Sequence, residues 1–314
     1  MAPGRAEIRD EALGRPAPGQ VRVRALHGAL SRGTEAIILG GRVPPAEYDR
    51  MRAPFMAGSF PFPVKYGYAT VGAVEEGPAD LLGKSIFALF PHQTKFDVPR
   101  ASVTPLPTEL PARRAVLAAN METALNGLWD LAPAPGSRIA VVGAGVVGAL
   151  VGHLCRTVAG AEVTLVDIDA AKAGLAAALG LSFATPATAS GDCAAVVHTS
   201  ASAAGLETAL NLAGDEATVL EMSWYGAGRI EVALGGAFHS RRLKLISSQV
   251  GKISPARRQS FSYAQRLAAA VDLLADARLD ALLAPAVRFG DLPALVPGLL
   301  APGRGTLCQV IDYP

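Results

Sequence analysis

The sequence predicts an α/β fold in which a β-rich region leads into a doubly wound parallel sheet. Three observations carry this. The run Ser137-Arg-Ile-Ala-Val-Val-Gly-Ala-Gly-Val-Val-Gly148 reads as strand, glycine turn and helix. From about residue 137 to 250, apolar strand-like runs alternate with helical ones, the order that makes parallel sheets with right-handed crossovers. The first 115 residues read instead as short strands broken by glycine and proline.

The chain has 314 residues, 50% of them hydrophobic and 18% charged, enough to bury a sizeable core in one large or two ordinary domains. Its formal net charge of +2 argues against nucleic acid or an anionic membrane as partner. Cys155, Cys193 and Cys308 are scattered, without a CxxC. That favours a reducing compartment over a disulfide framework. The N-terminal residues lack the apolar core of a signal peptide. A cytoplasmic protein is expected. The apolar run Ile139–Leu154 is too short to span a bilayer and reads as a buried strand and helix, so no membrane insertion is expected.

Along the chain, Gln20-Val-Arg-Val-Arg-Ala-Leu26 alternates with period two, as a half-buried strand does. Residues 68–76 and 84–90 read as further strands, and the proline-rich stretch 52–64 as loop with aromatic contacts. Pro105, Pro107 and Pro111 mark a boundary, after which 113–129 is helical. Residues 163–167, 194–198, 217–222 and 243–248 read as strands and 204–212 as a helix. Residues 262–274 form an amphipathic helix, and short apolar strands such as 307–311 follow.

The glycine turn carries the most chemistry. Gly143 permits the tight turn, Gly145 lets a pyrophosphate approach the backbone, and Gly148 lets helix and strand pack closely. Val146 and Val147 open the helix, whose first N–H groups and positive dipole end face the phosphates. Asp167 ends the second strand, 19 residues after Gly148, where a carboxylate can take both hydroxyls of an adenosine ribose. It would repel a 2′-phosphate, and no arginine follows it directly, so NAD is expected over NADP. Ser200 follows the third strand recognised here, and Ser223, Trp224 and Tyr225 the fourth, where ligands of open parallel sheets collect. The basic run His239–Lys244 reads as a solvated loop or as a clamp for phosphate or carboxylate.

With these residues in this order, the chain resembles the medium-chain dehydrogenase/reductase family over roughly residues 20–314. His27-Gly-Ala-Leu-Ser-Arg-Gly-Thr-Glu35 is similar to the family's early G-x-C-G-T-D segment. Val64-Lys-Tyr-Gly-Tyr-Ala-Thr-Val-Gly-Ala-Val-Glu-Glu-Gly77 is similar to its G-H-E-x-x-G-x-V segment, and residues 118–125 to the helix that leads into its Rossmann domain. Within the family the chain looks most like the branch of the bacteriochlorophyllide C3-hydroxyethyl dehydrogenase. The resemblance implies a GroES-like β domain (residues 1–115 and 265–314) and a Rossmann domain (116–264). It also implies hydride transfer at nicotinamide, a small-molecule substrate and a homodimer joined at the Rossmann sheet edge. Residues 217–222 or their neighbours are the candidate edge.

The departures from the family set the chemistry. Its catalytic-zinc positions fall on Arg32 (beside Ser31), Tyr68 and Ala119, and the four-cysteine lobe is missing. None of these residues is a good zinc ligand, so no metal is expected. Some hydrogen-bond donor must then meet the oxyanion and some group must carry the proton. Tyr68 takes the place of a lost ligand or is a core tyrosine with a satisfied hydroxyl, Thr34 matches the family's proton-relay hydroxyl, and His92 is a hydrogen-bonded loop histidine or could serve as a base. Arg32 and Lys65 could bind an acidic substrate group or simply be solvated. Thr123 matches the family position near the nicotinamide. The expected activity is zinc-independent, NAD-dependent alcohol oxidation or carbonyl reduction. An NADPH-dependent quinone or enone reductase and a catalytically silent dinucleotide-binding protein are the alternatives. The aromatic loop around residues 43–63 suits a large, flat or hydrophobic substrate such as a tetrapyrrole, though core and lid readings fit equally well.

Overall fold

The computed structural model describes residues 3–303 and 305–314. They form two compact units: residues up to Ala119 with Gly226–Gly228 and Leu267–Pro314, and Asn120–Tyr225 with Arg229–Arg266.

The first unit begins with β1 (Gln20–Leu30) and α1 (Arg32–Leu39). A small ribbon, β2 (Ala57–Gly58) and β3 (Val64–Lys65), follows, then β4 (Thr70–Glu76), β5 (Ser85–Ala88), β6 (Lys95–Pro99), β7 (Val103–Pro105) and α2 (Ala112–Ala115). The alternation expected for β1 is present. Val21, Val23 and Ala25 are fully buried, while Arg22 and Arg24 lie on the other face and pair with Asp97 at 2.8 Å and Glu75 at 3.1 Å. The buried face packs on Val74, Ile86 and Phe96, and Phe90 stacks on Phe96 at 4.0 Å between ring centroids.

α3 (Ala118–Leu131) leads into the second unit. The helix read over 113–129 is thus two helices, interrupted at Val116-Leu117. The second unit runs β8 (Arg138–Val142), α4 (Val146–Cys155), β9 (Glu162–Val166), α5 (Lys172–Ala178), β10 (Ser182–Ala184), β11 (Cys193–His198), α6 (Ala203–Leu212), β12 (Ala213–Glu221), β13 (Lys244–Ser247) and α7 (Tyr263–Asp272). Its sheet is parallel throughout, in the order β10-β9-β8-β11-β12-β13. Central strands are buried on both faces, so β8 and β11 read as continuous apolar runs rather than alternating ones.

β14 (Leu283–Arg288), α8 (Leu292–Leu299) and β15 (Cys308–Asp312) return to the first unit. There the sheet runs β14-β15-β1-β4-β5-β7, with β6 also on β1. It is antiparallel except for the β14–β15 pair.

Two sequence expectations need correction. The strand at 194–198 is not third in its unit: Ser182–Ala184 forms a three-residue strand ahead of it, too short for any periodicity. The stretch 217–222 is no sheet edge, because β12 is bonded to β11 on one side and β13 on the other. The edges are β10 and β13; β13 is the neighbour of 217–222, and Leu245 and Ile246 are exposed on it. Among the described residues, no helix is long and apolar enough to cross a membrane; residues 139–154 are β8 and α4.

Candidate functional site

The strand order of the second unit reverses between β8 and β11, which opens a crevice at their C-terminal ends. Gly143 turns the chain there with φ +107°. Its N–H is held by the Val166 carbonyl at 2.8 Å, and its carbonyl accepts from Thr199 Oγ1 at 2.8 Å. A Cβ on Gly148 would meet that carbonyl oxygen at 1.9 Å, so only glycine lets α4 start so close to the strand. Gly145, the N-terminal cap of α4, has open space where a Cβ would stand. The N–H groups of Val146, Val147 and Gly148 occupy the first turn, where no intrahelical acceptor exists.

Asp167 closes the far side of this turn. Its Oδ2 accepts from the Ala144 N–H at 2.7 Å and its Oδ1 from the Asp169 N–H at 2.9 Å. Each oxygen keeps a further lone pair. The carboxylate is thus aimed by main chain with acceptor capacity to spare. Ile168 beside it is 88% exposed, an apolar surface the sequence reading passed over.

The crevice also collects the residues after β11 and β12. Ser200 is exposed and lies against the glycine turn: a Cβ on Gly143 would come within 2.8 Å of the Ser200 nitrogen. Its Oγ is 2.7 Å from His198 Nε2, and His198 Nδ1 is 2.7 Å from Glu221 Oε2. Ser223 donates its N–H to Glu221 Oε1 at 2.7 Å and accepts from the Ala201 N–H at 3.1 Å. Tyr225 donates to Glu221 Oε2 at 3.0 Å. Burial opposes the charge of Glu221, but the hydrogen bonds from His198 and Ser223 hold its pKa below the ordinary value. His198 and Glu221 were missed in the sequence, because no local pattern ties two residues 23 positions apart. Thr123 lies half-buried on α3, and Trp224 is half-buried after β12.

In the first unit, Tyr68 donates to Ser31 Oγ. Burial pushes its hydroxyl up to about 12, moderated by hydrogen bonds with Ser31 and Thr34. The structure therefore brings Tyr68, Ser31 and Thr34 together. His92 stands in a different pairing, with Nε2 3.1 Å from Glu35 Oε2 and Nδ1 3.4 Å from the Tyr313 hydroxyl. Glu35, a buried residue of α1, also accepts from the Ser31 N–H at 2.8 Å and so links the two groups. A cavity of about 520 Å³ in this unit has Glu35, His92 and Tyr66 on its polar wall and Leu30, Leu292 and Val296 on its apolar one.

Several candidates are engaged elsewhere. Lys65 is paired with Glu11 at 2.5 Å. Arg32 donates to the carbonyls of Thr306 and Ala301 at 2.8 and 3.2 Å, and its Nε is buried without a hydrogen bond. The clamp reading of 239–244 fails on geometry. Arg241 binds the Ala213 carbonyl at 2.7 Å, at the start of β12 and the opposite end from Glu221, and Arg242 pairs with Glu216 at 3.0 Å. Zinc fits poorly: the family's ligand positions hold Arg32, Tyr68 and Ala119, and among the described residues no three His, Cys, Asp or Glu side chains converge.

No family model matches the chain. Its backbone does match solved structures. The 2R,3R-butanediol dehydrogenase of Bacillus subtilis superposes with a TM-score of 0.75 at 15% identity, covering 99% of this chain and 97% of that one. A short chain alcohol dehydrogenase from Escherichia coli CFT073 complexed with NADH gives 0.75 at 14% identity, with the same coverage. A protein of Sinorhizobium meliloti 1021 bound to NADP gives 0.74 at 18% identity over 97% of this chain and 95% of that one. The fold is the one shared with these structures, a GroES-like β unit and a Rossmann unit.

Proposed function

We propose that the chain is an NAD-dependent oxidoreductase that moves a hydride between nicotinamide and an alcohol or carbonyl substrate. The observation that carries this is the turn itself. Gly145 faces open space, Gly143 and Gly148 are glycines by necessity, and Asp167 is aimed by the Ala144 N–H. The cofactor supplies the hydride chemistry. The chain's residues hold it: the α4 N-terminus at Val146 and Val147 takes the pyrophosphate, Asp167 the adenosine ribose, and Ile168 offers an apolar flank for the adenine. Thr123, Ser200 and Ser223 are the further cofactor contacts. Asp169, two residues after Asp167, adds a second carboxylate against a 2′-phosphate, which favours NAD over NADP.

Without zinc, the oxyanion and the proton fall to side chains. Tyr68 is the donor and Thr34 its hydroxyl partner, while His92 with Glu35 can take or return a proton. The cavity beside Glu35 and His92 lies in the range of small-molecule sites. Its apolar wall suits a hydrophobic substrate. The exposed edge strand β13 is the proposed face of a homodimer.

The test is a titration of the purified chain with NADH and NADPH, followed by turnover over a panel of ketones and aldehydes. NADH binding and turnover that drops in Tyr68→Phe support the reading. Tighter NADPH binding with enone reduction would favour the quinone reductase class. Dinucleotide binding without turnover would leave a silent binding protein.

A further inference from the structure

Glu221, His198 and Ser200 stand in line at the C-terminal ends of β11 and β12. Parallel register sets His198 opposite Glu221, and two residues further on the chain returns Ser200 to the imidazole. With Glu221 charged, His198 Nδ1 carries the hydrogen and donates to Oε2 at 2.7 Å. Nε2 is then the acceptor of the Ser200 hydroxyl hydrogen at 2.7 Å. The backbone supports this placement. Ala201 sits in the left-handed region at φ +52°, a conformation that L residues adopt at a cost, and its N–H is pinned to Ser223 Oγ at 3.1 Å. Ser202 caps α6 through the Gly205 N–H and lies 2.9 Å from Ser200 Oγ. Position 205 has no room for a side chain, since a Cβ there would come within 2.0 Å of Ser200 Oγ. The first N–H groups of α6, from Ala203 and Ala204, lack intrahelical acceptors at the start of the helix that follows Ser200.

We infer that Ser200 is an activated nucleophile and an acylation site for thioesters and aryl esters. Burial sets that substrate class. Ser200 is exposed, but His198 is 0% exposed, and its Nε2 is already engaged by Ser200 Oγ at 2.7 Å. His198 can therefore take the Ser200 proton but does not reach a leaving group. The leaving group must depart as an anion, as thiolates and phenolates do and alkoxides do not. In the step, Ser200 Oγ bonds to the acyl carbon. The bond from that carbon to sulfur or aryl oxygen breaks, and its electron pair leaves with the thiolate or phenolate. The Ser200 hydrogen stays on His198 Nε2, balanced by Glu221. Water that would release the acyl group needs the same buried nitrogen, so the acyl ester persists.

The experiment mixes p-nitrophenyl acetate with the full chain free of dinucleotide. Nitrophenolate release is followed, and the acetylated peptide is then located by mass spectrometry. The expected result is a burst approaching one equivalent per chain, with the acetyl on Ser200. Ser200→Ala, a small change at an exposed position, should abolish the burst, and Glu221→Gln should slow it by about tenfold or more. Absence of a burst, a burst that survives Ser200→Ala, an acetyl carried elsewhere, or an unchanged rate in Glu221→Gln overturns the inference.

Discussion

A Cβ on Gly148 would lie 1.9 Å from the carbonyl oxygen of Gly143, whereas one on Gly145 would touch nothing within 4 Å. These neighbours make opposite predictions. Gly148→Ala should force helix and turn apart and cost about 1–3 kcal/mol, visible as a lower melting temperature. Gly145→Ala should melt like the parent, because φ −76° suits any residue. It should nevertheless bind NADH about tenfold or more weakly by calorimetry, its methyl standing where the pyrophosphate approaches.

Asp167 accepts two main-chain N–H groups and keeps lone pairs free. Asp167→Asn keeps one of these bonds and sets its NH2 against the other N–H, so it should cost about 1–3 kcal/mol in thermal melts as well as weaken NADH binding about tenfold. NADPH binding should change little or improve, since the repelling charge has gone. Parallel titrations of both coenzymes read the change in preference.

The buried pair Arg266–Glu122 is joined at 3.0 Å, with the two side chains 2% and 6% exposed. Burial raises the Glu122 pKa despite the arginine's pull. Arg266→Met should cost about 3–5 kcal/mol in denaturant unfolding, because it strands a carboxylate. Arg266→Met with Glu122→Leu should recover at least half of that.

Glu221 is held below its ordinary value of 4.5: burial opposes its charge, but the bonds from His198 and Ser223 outweigh that. A carboxylate whose native pKa is depressed stabilises the fold fully above its unfolded value and loses that contribution as pH falls through the native one. Above pH 4.5 the stability gap between the parent and Glu221→Gln therefore carries the carboxylate's full contribution. It should close as pH falls below 4.5 and through the lower native pKa, as thermal melts across that range will show.

β13 presents Leu245 and Ile246 on a free strand edge. Ile246→Lys should convert the proposed homodimer to monomers in sedimentation velocity without lowering the melting temperature of the unit itself.

Much of this was legible in the chain. Three glycines, the strand before them, the helix after them and Asp167 form one local pattern, because the turn needs each residue type at a fixed offset. The alternation of Val21, Val23 and Ala25 with Arg22 and Arg24 equally declared a half-buried strand. Short elements were lost: Ser182–Ala184 has no period to read, and α5 is an alanine-rich turn or two beside it.

Tertiary structure alone decided the partnerships. The register of β11 on β12 places Glu221 beside His198, and that placement turns Ser200 from one exposed serine among several into the end of a proton relay. Folding of β1 and α1 against the loop after β5 likewise gives His92 a carboxylate 57 positions away, a partner that the residues alone could not name. Local spacing determines which backbone forms, since φ/ψ and burial repeat over a few residues. Chemical role depends on which charges and hydroxyls meet at under 3 Å or so, and only the closed sheets set those distances.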